Sequence, residues 1–150
     1  LAESRATDYT LVKLLQQPAP EANVSYAGFE ARDLESNGAT AIHHPNTDEK
    51  SISFEFDPVS TTTYLKEAIP GDGTHVRVTD WDVGTTEPGS SGSPLFNTEK
   101  RVIGQLHGGY ASCSSQTSDW YGKLSVSWEA GLGEHLDNAG TGLKYADTIQ

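Results

Sequence analysis

The stretch Glu87 to Gly109, EPGSSGSPLFNTEKRVIGQLHGG, decides how the rest of the chain is read. It opens on a loop of small residues, passes into an apolar run, SPLF (93–96), turns through NTEK, and continues as RVIGQLH (101–107) before Gly108 and Gly109. By themselves, two glycines and three serines ahead of a strand describe a flexible turn. Strand-like runs recur on both sides: DYTLVKLL (8–15), VSYAGFE (24–30), ATAIHH (39–44), SISFEF (51–56) and THVRVTDW (74–81) upstream, and WYGKLSVSW (120–128) downstream. Turn residues separate nearly all of them. SISFEF and HVRVTDW alternate apolar and polar residues, the period of half-buried antiparallel strands. Only GLGEHLDNAG (131–140) reads as helix, short, with Leu132 and Leu136 one turn apart. The pattern predicts an all-β chain folded as a barrel or sandwich, of about six or seven strands, with a short C-terminal helix.

The first run does not fit that barrel. DYTLVKLL is stopped by QQPAP, whose two prolines read as a linker. The expected organisation is therefore residues 1–17 as a strand belonging elsewhere plus the start of a linker, and residues 18–150 as the barrel domain.

Composition narrows the partners. A chain of 150 residues suits one domain with its own core. With 21 acidic against 10 basic residues the net charge is -11, which argues against binding a nucleic-acid backbone. No apolar run approaches the roughly 18 residues of a membrane span, so no membrane partner is expected. No cluster of His, Cys and carboxylates has ligand spacing, so neither a metal nor another cofactor is called for. Cys113 is alone, as a buried inert thiol, a reactive one, or half of a bridge to another segment.

Within the opening stretch, Gly89-Ser90-Ser91-Gly92-Ser93-Pro94 resembles the G-x-S-G-x-P loop of chymotrypsin-like serine proteases, with Ser91 in the nucleophile position. A nucleophile elbow of the G-x-S-x-G type would need glycine where Ser93 stands. AIHHPN..EKSIS, TEPGSSGSPLFNTEKRVIGQLHGG, DWYGKLSVSW and HLDNAGTG, in that order, are similar to segments of the bacterial lysyl endopeptidases. That resemblance implies the second barrel of a chymotrypsin-like fold, a secreted, extracellular bacterial enzyme, and peptide-bond hydrolysis after lysine.

Residue by residue, the resemblance makes Ser91 the nucleophile and the N–H groups of Gly89 and Ser91 the oxyanion hole. Asp8, in TDYTLVKL, takes the place of the triad aspartate that orients a histidine. Asp119, before Trp120-Tyr121-Gly122, falls at the base of the lysine pocket, where a carboxylate would meet the substrate ammonium. His107, Gly108 and Gly109 match the cleft wall whose edge pairs with the substrate main chain. YLKEAIPGDG (64–73) stands where a cleft tryptophan would be expected. His43 and His44, adjacent on a strand, face opposite ways and are read as structural; His75 and His135 have no stronger claim. No histidine precedes Asp8, so the triad base, the first barrel and the cysteine that would bridge to Cys113 are all expected upstream, in the N-terminal half of the same protease. The chain is thus expected to be the inactive C-terminal portion of a polypeptide-cleaving enzyme. Two alternatives compete: a peptide-binding module of protease origin that performs no chemistry, and an unrelated β domain, which would leave Ser91 and Asp119 far apart.

Overall fold

A computed structural model describes residues 1–149. Among the described residues eleven strands form: β1 (Ala2–Ser4), β2 (Tyr9–Leu11), β3 (Gly28–Glu30), β4 (Ala39–His43), β5 (Ser51–Glu55), β6 (Ser60–Thr62), β7 (His75–Val78), β8 (Pro94–Phe96), β9 (Arg101–Gly109), β10 (Asp119–Lys123) and β11 (Tyr145–Ala146). β1 and β2 make a separate antiparallel hairpin. The remaining strands form one sheet in the order β5-β4-β8-β9-β10-β7-β6, with β3 parallel to β9 and β11 antiparallel to β3.

The sheet curls without closing. A bridge between Phe54 and Val83 brings the chain after β7 back against β5, while β5 and β6 remain the two ends of the strand path. The fold is the all-β, mostly antiparallel arrangement of a chymotrypsin-like second barrel, with an open seam in place of full closure. Ala39, Ala41, Val76, Val78, Trp81, Leu95, Leu106 and Tyr121 fill its interior. Burying the Val76, Val78, Leu95 and Leu106 side chains contributes about 1.5–3 kcal/mol each.

Two expectations need correction. The run WYGKLSVSW is not one strand: β10 ends at Lys123, and Leu124–Ser127 is α-helix (α1), followed by a π-helical turn, Trp128–Leu132, and a second short helix, Gly133–Leu136 (α2). Leu124, Val126 and Trp128 alternate like a strand, but Leu124, Trp128 and Leu132 also repeat every fourth residue. That second period wins because these three pack together with Tyr9 and Ala31 in a core of their own. The Ser127 hydroxyl donates to the carbonyl of Lys123 at 3.0 Å. In SISFEF the period is right and the polar residues face inward: Ser53 and Glu55 are buried, while Ile52 and Phe56 are exposed. β1, β6 and β11 have no apolar alternation and were not expected from the sequence.

The hairpin that carries Asp8 is seated on the sheet through Thr7, which is fully buried. Gln105 Nε2 donates to the Thr7 carbonyl at 2.5 Å, and Thr7 Oγ1 lies 2.8 Å from Ser127 Oγ. Asp8 follows with φ 53°, so the chain reverses there into β2.

Candidate active site

The serine loop is a tight turn held from several sides. Ser90 N–H donates to Glu87 O at 3.0 Å and Ser93 N–H to Ser90 O at 3.1 Å. Gly92 N–H donates to Leu106 O at 2.7 Å and Leu106 N–H to Ser93 O at 2.9 Å, which ties the turn to β9. Gly89 has φ 100°, a conformation that a side chain would strain. Ser91 is exposed. Among the described residues no acceptor takes the N–H of Gly89 or of Ser91, so both donors are available to a ligand.

Ser91 and Asp119 line one cavity of about 330 Å³, together with Thr86, Glu87, Leu106, Gly108 and Gly109. Asp119 begins β10, opposite Gly109, and is 1% exposed. Its Oδ2 accepts from Trp81 Nε1 at 2.8 Å and from Thr86 Oγ1 at 2.7 Å. Burial pushes its carboxyl above the usual aspartate range, against the opposing pull of those two donors. A Cβ on Gly109 would collide with Asp119 Oδ1 and the Ser118 carbonyl. Glycine at 109 therefore makes room for the carboxylate itself, in addition to keeping the cleft open.

β8 begins at Pro94, opposite Gln105, so among the described residues the β9 edge beyond Leu106 has no strand partner on that side. His107 lies on this edge, stacked flat on Tyr64 with ring centroids 3.6 Å apart at an interplanar angle of 1°. Tyr64 is the first residue of YLKEAIPGDG. An aromatic ring from the segment in which a cleft tryptophan was expected therefore packs on His107, and its sign in the sequence is an aromatic side chain at the start of that segment. His75 was also passed over. It is buried, and its Nε2 lies 2.9 Å from His107 Nδ1.

The protons in this cluster can be followed. The Thr74 hydroxyl donates to Asp72 Oδ1 at 2.7 Å, so it accepts from His75 Nδ1–H, also at 2.7 Å. His75 Nε2 then accepts from His107 Nδ1–H. The Nε2 of His107 is left facing Asp8 Oδ2 at 3.8 Å. Burial, and secondarily the His107 ring, pushes His75 down to about 4, which keeps it neutral. His43 is buried beneath the serine turn, while His44 and His135 are exposed. Among the described residues none of the five histidines hydrogen-bonds to Ser91. Cys113 is exposed, and its N–H donates to Glu87 Oε1 at 2.5 Å. No group of three or more potential metal ligands occurs among the described residues.

The open antiparallel sheet with a serine-bearing turn above an acidic cavity defines a domain of the chymotrypsin-like second-barrel class. The sequence model of the family described as "Lysyl endopeptidase, C-terminal domain" matches residues 1–122, and the chain belongs to that family. Its origin is that of a protease. The matched range covers every site residue named above; the helical turns and β11 lie beyond it.

Proposed function

We propose that this chain is the catalytic-serine half of a secreted serine endopeptidase that cleaves after lysine. The observation that carries the reading is the shared cavity, lined by an exposed serine and a buried carboxylate, beside a turn in which the Gly89 and Ser91 N–H groups have no acceptor among the described residues. Ser91 Oγ attacks the scissile carbonyl as its proton passes to the histidine assigned to the upstream half, and that histidine gives the proton to the departing amine as the C–N bond breaks and the acyl-enzyme forms. Water then releases the acid. The Gly89 and Ser91 N–H groups receive the oxyanion. Asp119 pairs with the lysine ammonium, an ion pair whose carboxylate is already desolvated and fixed by Trp81 and Thr86. The edge of His107–Gly109 binds the substrate main chain as an added strand. Asp8 orients a histidine that none of the five present supplies, and the reading assigns that base to an upstream half, bridged through Cys113.

The absence of an imidazole on Ser91 also favours a second reading for this chain taken alone, a lysine-peptide binder without turnover. One pair of measurements separates them. Calorimetry on the chain with a lysyl peptide and its norleucine analogue tests the pocket, with binding expected for the first and lost in Asp119→Asn. The chain combined with its upstream half should hydrolyse lysyl substrates, and Ser91→Ala should lower kcat/KM by at least about three orders of magnitude. Retained turnover in Ser91→Ala would remove the nucleophile assignment.

A further inference from the structure

His43 ends β4 directly beneath the serine turn and is 2% exposed. Its Nδ1 lies 2.9 Å from Ser90 Oγ and its Nε2 lies 3.1 Å from Ser53 Oγ. The partners decide the tautomer. The Ser53 hydroxyl gives its only proton to the Thr85 carbonyl at 3.1 Å, so toward His43 it can only accept, and Nε2 must carry the hydrogen. Burial holds the imidazole below its ordinary range, so Nδ1 is a bare lone pair. Ser90 Oγ accepts from the Glu87 N–H at 3.3 Å and donates to that lone pair. Every proton from Glu87 N–H through Ser90, His43 and Ser53 to Thr85 O is therefore assigned, and both ends of the chain are backbone groups of the segment leading into the turn. The other charged or titratable neighbours acting on the ring are the Asp119 carboxylate and His44.

Ser90 sits between the two residues whose N–H groups are unclaimed. Its side chain is itself a brace of the turn, because Ser90 Oγ holds the Glu87 N–H from above and the His43 ring from below, and losing that brace would let the Gly89 and Ser91 peptides move. We propose that His43 is a positioning residue of the serine turn, which as its Nε2–H tautomer holds the Ser90 hydroxyl and thereby keeps the Gly89 and Ser91 N–H groups aimed at one point. The catalytic consequence rests on the serine-protease reading above; the positioning itself does not.

The test has one arm that needs no activity. Nitrogen-15 spectra of the histidine rings of the chain should show His43 with a protonated Nε2 and an unprotonated Nδ1 from pH 8 to pH 5.5, and the opposite tautomer would overturn the proposal. Backbone amide signals of Gly89 and Ser91 should be displaced in Ser90→Ala and in His43→Gln. They should stay near their original positions in His43→Asn, whose Oδ1 can replace Nδ1 as acceptor for Ser90. A role in filling space alone would not separate Asn from Gln in that order, and signals unmoved in all three variants would also sink the idea. With the upstream half present, Ser90→Ala and His43→Gln should each lower kcat at least about tenfold at nearly constant KM, with the double variant no worse than the worse single one. Displaced amides together with a combined protein that cleaves nothing would support the positioning role and refute the protease reading.

Discussion

A buried carboxylate in a cavity wall loses its charge more readily than one in water, and Asp119 shows the consequence. Its raised pKa means that binding of a lysyl peptide should weaken as pH falls at a pH above the ordinary aspartate range, while the norleucine analogue stays indifferent. Titration calorimetry between pH 4 and 7 checks this; parallel behaviour of the two peptides would exclude an ion pair to Asp119. The position opposite is equally constrained. Gly109→Ala places a methyl group where Asp119 Oδ1 and the Ser118 carbonyl lie, so it should cost about 1–3 kcal/mol of stability and abolish the lysyl-peptide binding proposed for the cavity. His75 gives a pH dependence of defined sign. Its folded pKa of about 4 lies below the ordinary 6.5, so the stability it confers is complete above pH 6.5 and is lost as pH falls toward 4, up to about 3 kcal/mol. The cost of His75→Asn should therefore be largest at pH 7 and shrink at pH 4.5. Glu55, raised to about 6 chiefly by burial, acts with the opposite sign but is present in both proteins and cancels in the difference. Denaturant midpoints at the two pH values provide the measurement.

Among the elements, β5 and the segment after β10 show how far periodicity reaches. Both β5 faces were written plainly, apolar on one and polar on the other, yet the interior took Ser53 and Glu55. The reason lies in β4, whose inward side chains are Ala39, Ala41 and His43: opposite Ala41, the inward position of β5 supplies Ser53 as the acceptor for the His43 ring. In the helical turns, Trp128 stacks on Phe29 at 5.1 Å and packs with Leu124, Leu132 and Tyr9. This small core holds the hairpin that presents Asp8. Trp128→Ala should cost about 3–5 kcal/mol and loosen the hairpin before the main sheet. Hydrogen exchange would show protection lost first at residues 2–11; uniform loss would mean that the two cores unfold as one.

Across the whole molecule, the C-terminal segment straps the β3 edge. Ala31 N–H donates to Lys144 O at 2.7 Å, Gly28 N–H to Thr148 Oγ1 at 3.0 Å, and Tyr26 N–H to Ile149 O at 2.8 Å. The guanidinium groups of Arg32 and Arg101 lie over the Tyr145 ring at 4.0 and 4.6 Å, and both ion-pair with buried Glu30. The Arg101–Asp147 pair is largely open to solvent on the Asp147 side and adds little. Deleting residues from 144 onward should strip exchange protection from residues 26–31 while leaving the amides of the serine turn unchanged, since the strap touches only the far end of β9. A change at the turn would reveal coupling across the sheet.

The sequence alone determined what local chemistry can write. The G-S-S-G-S-P turn, the strand runs around it and the resemblance they carry led to the all-β class and to a family that the match over residues 1–122 shows. Strand alternation could not say which face turns inward, because that depends on a hydrogen-bond partner in another strand. LSVSW satisfied two periods at once, and only the small core beside β2 chose between them. Tyr64 and His75 carry no motif, since their meaning comes from a third ring, His107, far along the chain. Folding across the sheet brought Ser91 and Asp119 to one cavity and set His43 beneath the turn, because residues distant in sequence acquire joint chemistry only where packing excludes water and fixes the direction of each proton.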